Sequence, residues 1–158
     1  CSGLVGSEMC IRDSACTEQR VVAWDRINPG TGVWEEARLD VATRDCATGR
    51  PIFVDTVVTC AHCGYEPRQR ARASKDGLAA ADAVKGKRRR YPPSGGKLVP
   101  LAFETGGRPA EETVSYVRSL GCGLEGAQRT QVLRYAWQQY STALQSGNAE
   151  MILSAVGY

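Results

Sequence analysis

Two β-rich runs separated by a glycine-containing loop constrain this chain more than any other feature. Residues 38–43 (RLDVAT) and 52–59 (IFVDTVVT) flank the turn-rich stretch 44–50 (RDCATGR). β-Branched runs on either side of such a loop predict an antiparallel hairpin. A symmetric loop sets Asp40 opposite Asp55, on one face and with Cβ atoms about 4.5–5.5 Å apart. Two carboxylates at that distance repel unless a cation lies between them. Asp55 also interrupts an otherwise apolar strand, and an acid in a strand that reads as buried is either paired or functional.

The flanking segments extend the pattern. Residues 21–24 read as a short strand and residues 28–32, which carry Pro29 and two glycines, as a turn. Residues 74–90 read as an Ala-rich helix with Ser74 as N-cap and Asp76 near its positive end, stopped by Pro92 and Pro93. A third strand is expected over 98–104, ending in the pair Gly106 and Gly107, followed by helices over 109–120, 125–145 and from Asn148. Strand, strand, helix and strand with helices packed on the sheet is an α/β layer architecture.

Charge and cysteine content narrow the function. The chain has 158 residues, 42% hydrophobic and 23% charged, which fits one soluble domain, and no apolar run approaches the length of a membrane span. An intracellular product without membrane association is expected. Net charge is only +3, but between Arg68 and Arg90 nine Lys or Arg face only Asp76 and Asp82, ending in KGKRRRY over 85–91. Such a stripe can neutralise phosphates; its plain alternative is a solvated helix face. Of seven cysteines, Cys1 and Cys10 fall in the first fourteen residues, and Cys16, Cys46, Cys60, Cys63 and Cys122 remain. An odd number suits free thiols. The CAHC motif, Cys60 to Cys63 with His62, lacks a second ligand pair to close a zinc tetrahedron, so a thiol and imidazole packed at a strand end is expected there.

Residues 4–14, LVGSEMCIRDS, resemble a sequencing-library adaptor read through in one frame. Residues 1–14 are accordingly expected to be an artefact outside the fold.

The ordered set of Asp40, FVDTVVT around Asp55, a helix ending in KRRRY, and LVPLAFETGG resembles the restriction-like, PD-(D/E)XK endonuclease domain at the C-terminal end of some non-LTR retrotransposon polyproteins. The resemblance covers residues 20–110. It implies a restriction-endonuclease-like core with a small mixed sheet (hairpin, helix, strand) over 15–108 and a C-terminal helical extension over 109–158. It also implies that Asp40 and Asp55 hold Mg²⁺ or Mn²⁺, that a lysine assists, and that no organic cofactor is needed. Leu39 stands where the family usually has Pro, and Val57 stands two residues after the second acid, where many relatives have Lys. The retrotransposon branch can take its lysine from the following helix, which leaves Lys87 and Lys85. The KRxxY spacing favours Lys87, while helical geometry does not decide between them. Arg88, Arg89 and Arg90 would hold the DNA backbone. With no reverse transcriptase portion, the chain would be a fragment or a decayed copy of a nuclear endonuclease.

The residue types suit the chemistry. Phosphodiester hydrolysis needs an activated water and a counter to charge on phosphoryl oxygens, and Mg²⁺ normally uses one or two protein carboxylates. Glu35 and Glu36 read as exposed residues at a strand start, and Glu104 as structural. Two other readings compete: a non-catalytic basic nucleic-acid-binding module using the KGKRRR stripe, and a helical interaction domain using Tyr135, Trp137 and Tyr140 as a partner face.

Overall fold

The computed structural model describes residues 15–45, 48–62 and 66–155. The adaptor-like segment 1–14, Cys46 and Cys63 lie outside the described residues. Among the described residues six strands and four helices follow in order: β1 (Cys16–Arg20), a 3-10 turn (Val22–Trp24), β2 (Arg26–Ile27), β3 (Trp34–Glu35), β4 (Arg38–Arg44), β5 (Pro51–Thr59), α1 (Glu66–Ser74), α2 (Leu78–Arg90), β6 (Lys97–Glu104), α3 (Glu111–Leu120) and α4 (Gly126–Ala155). Four strands form a sheet in the order β1-β4-β5-β6, and β2 pairs with β3 separately. The class is therefore α/β, as expected. Among the described residues no helix is long and apolar enough to cross a membrane.

The chain divides into two compact units, residues 1–56 with 85–100 and residues 57–84 with 101–158. In the first, β4 and β5 pair antiparallel in the register Val41–Val54, Ala42–Phe53, Thr43–Ile52 and Arg44–Pro51. This is the register a symmetric loop dictates, and it runs as far as the Val41–Val54 pair, next to Asp40 and Asp55. The loop closes through Gly49 N–H donating to Asp45 O at 2.7 Å, with Gly49 at φ +66°, a conformation that favours glycine. β1 adds to the other side of β4. It was not foreseen because CTEQR is polar and all five residues are exposed, so no alternation marks it.

Residues 21–24 form a 3-10 turn rather than the expected strand. The turn delivers Trp24 into the core of this unit, with Ala37 and Leu39, against Val21, Phe53, Tyr91 and Leu98. The Trp24 indole N–H donates to Pro92 O at 2.6 Å, which satisfies the one polar atom of a side chain only 3% exposed.

The single helix expected over 74–90 is two, and the second unit holds the first of them and residues 78–84 of the next. Gly77, at φ +73°, separates α1 from α2, and Ser74 ends α1 with its Oγ donating to Ala71 O at 2.9 Å instead of capping. The start of α2 is held by a side chain from far along the chain: Glu104 Oε1 accepts the Ala79 N–H at 3.2 Å. The core comprises Ala80, Val84, Ala102 and Ala110 with Val57 and Ala83 packed against it. Thr113 Oγ1 accepts from Ala102 N–H (2.9 Å) and donates to Ala102 O (3.2 Å), fastening α3 to β6. The two helices expected over 125–145 and from Asn148 are one, α4, continuous through Gly147. Asn148 Nδ2 donates to Thr105 O at 2.8 Å. Tyr140 packs 5.5 Å from the Phe103 ring, with Trp137 6.2 Å from Tyr140, whereas Tyr135 is 62% exposed.

Candidate active site

Asp40 on β4, Asp55 on β5 and Lys87 on α2 converge within the first unit. The Lys87 ammonium lies 2.5 Å from Asp55 Oδ2. Asp55 is 3% exposed, and the adjacent lysine acts on it by hydrogen bonding and by charge, both favouring the ionised form. Asp40 is exposed, and its Oδ2 accepts the backbone N–H of Thr56 at 2.6 Å. That N–H is thereby taken by a side chain just beyond the Val41–Val54 pair of the hairpin.

Electrostatics mark Asp55 as the unusual group. Burial pushes its carboxyl above the ordinary Asp value, the Lys87 ammonium works against that, and the charge of Asp40 pushes it further up. A carboxyl kept high in spite of an adjacent lysine is one whose burial outweighs that charge. Tyr91 belongs to the same neighbourhood. Burial raises its phenol, the Asp55 charge raises it further, and Lys87 opposes. Its position four residues after Lys87 places it on the same helical face, and its N–H donates to Lys87 O at 2.9 Å. The KRxxY spacing was the sequence signal for Tyr91; nothing in the sequence pointed to the Thr56 amide.

The structure separates the two candidate lysines. Lys87 reaches Asp55, and Lys85 is exposed, as residues two apart on a helix point to nearly opposite sides. Val57, two residues after Asp55, packs into the apolar core of the second unit. Arg88 and Arg89 are exposed. Arg90 is turned inward: its guanidinium donates to Trp24 O at 2.7 Å, lies 3.6 Å from Glu35 Oε2 and sits 5.0 Å from the centre of the Tyr91 ring. Glu36 pairs with Arg20 (2.8 Å) and Arg38 (3.1 Å).

Two carboxylates close enough for the charge of one to act on the other suit a hard divalent cation that takes one or two protein oxygens. Among the described residues no group of three or more His, Cys, Asp or Glu is placed to hold a metal ion, so these two carboxylates are the protein donors the site offers. His62 of the CAHC motif is exposed and Cys60 half-buried. No protein-family model, curated protein or solved structure matches the chain.

Proposed function

We propose that the chain carries a divalent-metal-dependent DNA-nicking site of the restriction-endonuclease-like class, derived from a retroelement. The observation that carries this reading is the convergence of Asp40, Asp55 and Lys87, from two strands and a helix, around one carboxyl that its surroundings keep hard to ionise. Asp40 and Asp55 would hold Mg²⁺ or Mn²⁺; when bound, that ion lowers the pKa of water and stabilises charge on the phosphoryl oxygens.

The remaining work falls to the chain itself. The Thr56 amide fixes the Asp40 carboxylate and limits its rotation. The Lys87 ammonium, held beside Asp55, would hydrogen-bond a phosphate oxygen or orient the attacking water. Arg88 and Arg89, one and two residues on, face solvent and would contact backbone phosphates, which positions DNA without reading its sequence.

The test is conversion of supercoiled plasmid to the nicked form by the full chain, with Mg²⁺, with Mn²⁺ and with neither. Metal-dependent nicking that is lost in both Asp40→Asn and Asp55→Asn supports the reading. Nicking that survives either substitution contradicts it, and salt-sensitive DNA binding without nicking leaves a basic module that only binds.

A further inference from the structure

Trp34 and Ile27 stand opposite each other across the short β2–β3 hairpin, and both are exposed, at 57% and 62%. Side chains in cross-strand register share a face, so the hairpin presents an indole beside a branched aliphatic group to solvent. Trp24, by contrast, is core.

Side-chain hydrogen bonds and ion pairs hold the hairpin. Asn28 Oδ1 accepts the N–H groups of Gly30 (2.8 Å) and Thr31 (3.3 Å), which sets the tip. On the other face Arg26 pairs in register with Glu35. Glu35 accepts from Asn28 Nδ2 at 2.6 Å and lies 3.4 Å from Arg26 Nε and 3.6 Å from Arg90 Nη2. Arg90 stands one helical turn beyond Lys87, on the same side of α2. The exposed pair is therefore braced to the helix that carries the candidate catalytic lysine.

Charge selects the occupant. Residues 15–56 and 85–100 hold eleven Lys and Arg against seven Asp and Glu, while residues 57–84 and 101–158 hold eight of each. The hairpin thus belongs to the unit that carries the excess positive charge. A flat aromatic ring on a unit with excess positive charge suits a polyanion that offers π-faces, which is a nucleic-acid strand with unstacked bases. Paired duplex DNA keeps those faces covered.

We propose that Trp34, backed by Ile27, is a stacking platform for an unpaired base of the DNA held at the Asp40, Asp55 and Lys87 site, so that the preferred substrate is opened or single-stranded next to the nick. The proposal rests on the nuclease reading for the purpose of the contact, but its test does not need cleavage. Full-chain Asp55→Asn, without divalent metal, is titrated into a short dye-labelled oligo-dT and into a labelled blunt duplex of the same length, and binding is read by fluorescence anisotropy. Oligo-dT is expected to bind. In the same background Trp34→Ala is expected to weaken oligo-dT binding about tenfold, as for loss of one stacked base, with duplex binding unchanged and Trp34→Phe close to the parent. Equal affinities of Trp34→Ala and parent for oligo-dT, an equal loss on both DNAs, or no binding of oligo-dT by the parent would each overturn the platform. A platform that passes while the wild-type chain fails to nick would remove the nuclease reading alone.

Discussion

Lys87 Nζ lies 2.5 Å from Asp55 Oδ2, and this ion pair, half on a strand and half on a helix, is the electrostatic centre of the candidate site. Its two partners should respond to mutation in opposite ways. Asp55 has a raised carboxyl pKa in the folded chain, so the folded state binds that proton more tightly than the unfolded one. Stability therefore falls as pH rises from the ordinary Asp range through the raised value. Asp55→Asn should abolish that slope and be as stable as wild type, or more so, at neutral pH. Lys87→Met should cost about 3 kcal/mol at neutral pH by stranding a buried charge, and should regain much of it on acidification as Asp55 protonates. The double variant should recover most of the loss. Urea unfolding of the four proteins across pH measures all of this, and a Lys87→Met chain unaffected at every pH would show that the pair is not formed.

Asp25 is the opposite case. The Arg20 guanidinium and the Ala37 N–H hold its carboxyl below the ordinary value, at 2.6 Å and 2.7 Å respectively. A depressed folded pKa contributes stability above the unfolded value, lost as pH falls through the folded one. Asp25→Asn should lower the melting temperature at neutral pH and match wild type once the medium is acid enough to protonate Asp25 in both states. An equal deficit at all pH values would assign its role to packing instead.

Glu104 should prove structural. Its carboxylate accepts the Ala79 N–H in the first turn of α2, a turn with no acidic residue of its own. Glu104→Ala should cost about 1–2 kcal/mol by removing a buried acceptor from a helix N-terminus, while Glu104→Gln, which keeps an acceptor, should cost less. Denaturant midpoints decide this. The nicking rate per folded molecule should stay within a few-fold of wild type in Glu104→Gln, and a large selective loss of rate would place Glu104 in the chemistry.

Much of the site could be read from the sequence because a hairpin is a local object. The β-branched runs and the Gly49 loop predict the register, and the register brings Asp40 and Asp55 to neighbouring positions just beyond the Val41–Val54 pair. The lysine could not be chosen the same way. Lys85 and Lys87 differ only in which side of α2 meets β5, and that depends on packing between segments distant in sequence. Other misses have equally physical origins. β1 carries no apolar period, and the strand expected over 21–24 was pulled into a turn by the burial of Trp24. Gly77, at positive φ, breaks a helix that Gly147 does not, because composition cannot distinguish a glycine needed for its conformation from one merely tolerated.

The most direct test of the central claim compares Lys87→Ala with Lys85→Ala in plasmid nicking at saturating Mn²⁺. Each removes one lysine ammonium from the same helix, and melting temperatures measured alongside correct for folded fraction. If Asp40, Asp55 and Lys87 form one hydrolytic site, Lys87→Ala should lose about a hundredfold or more in rate and Lys85→Ala only a few-fold. Equal losses, or nicking undiminished in folded Lys87→Ala, would contradict the account.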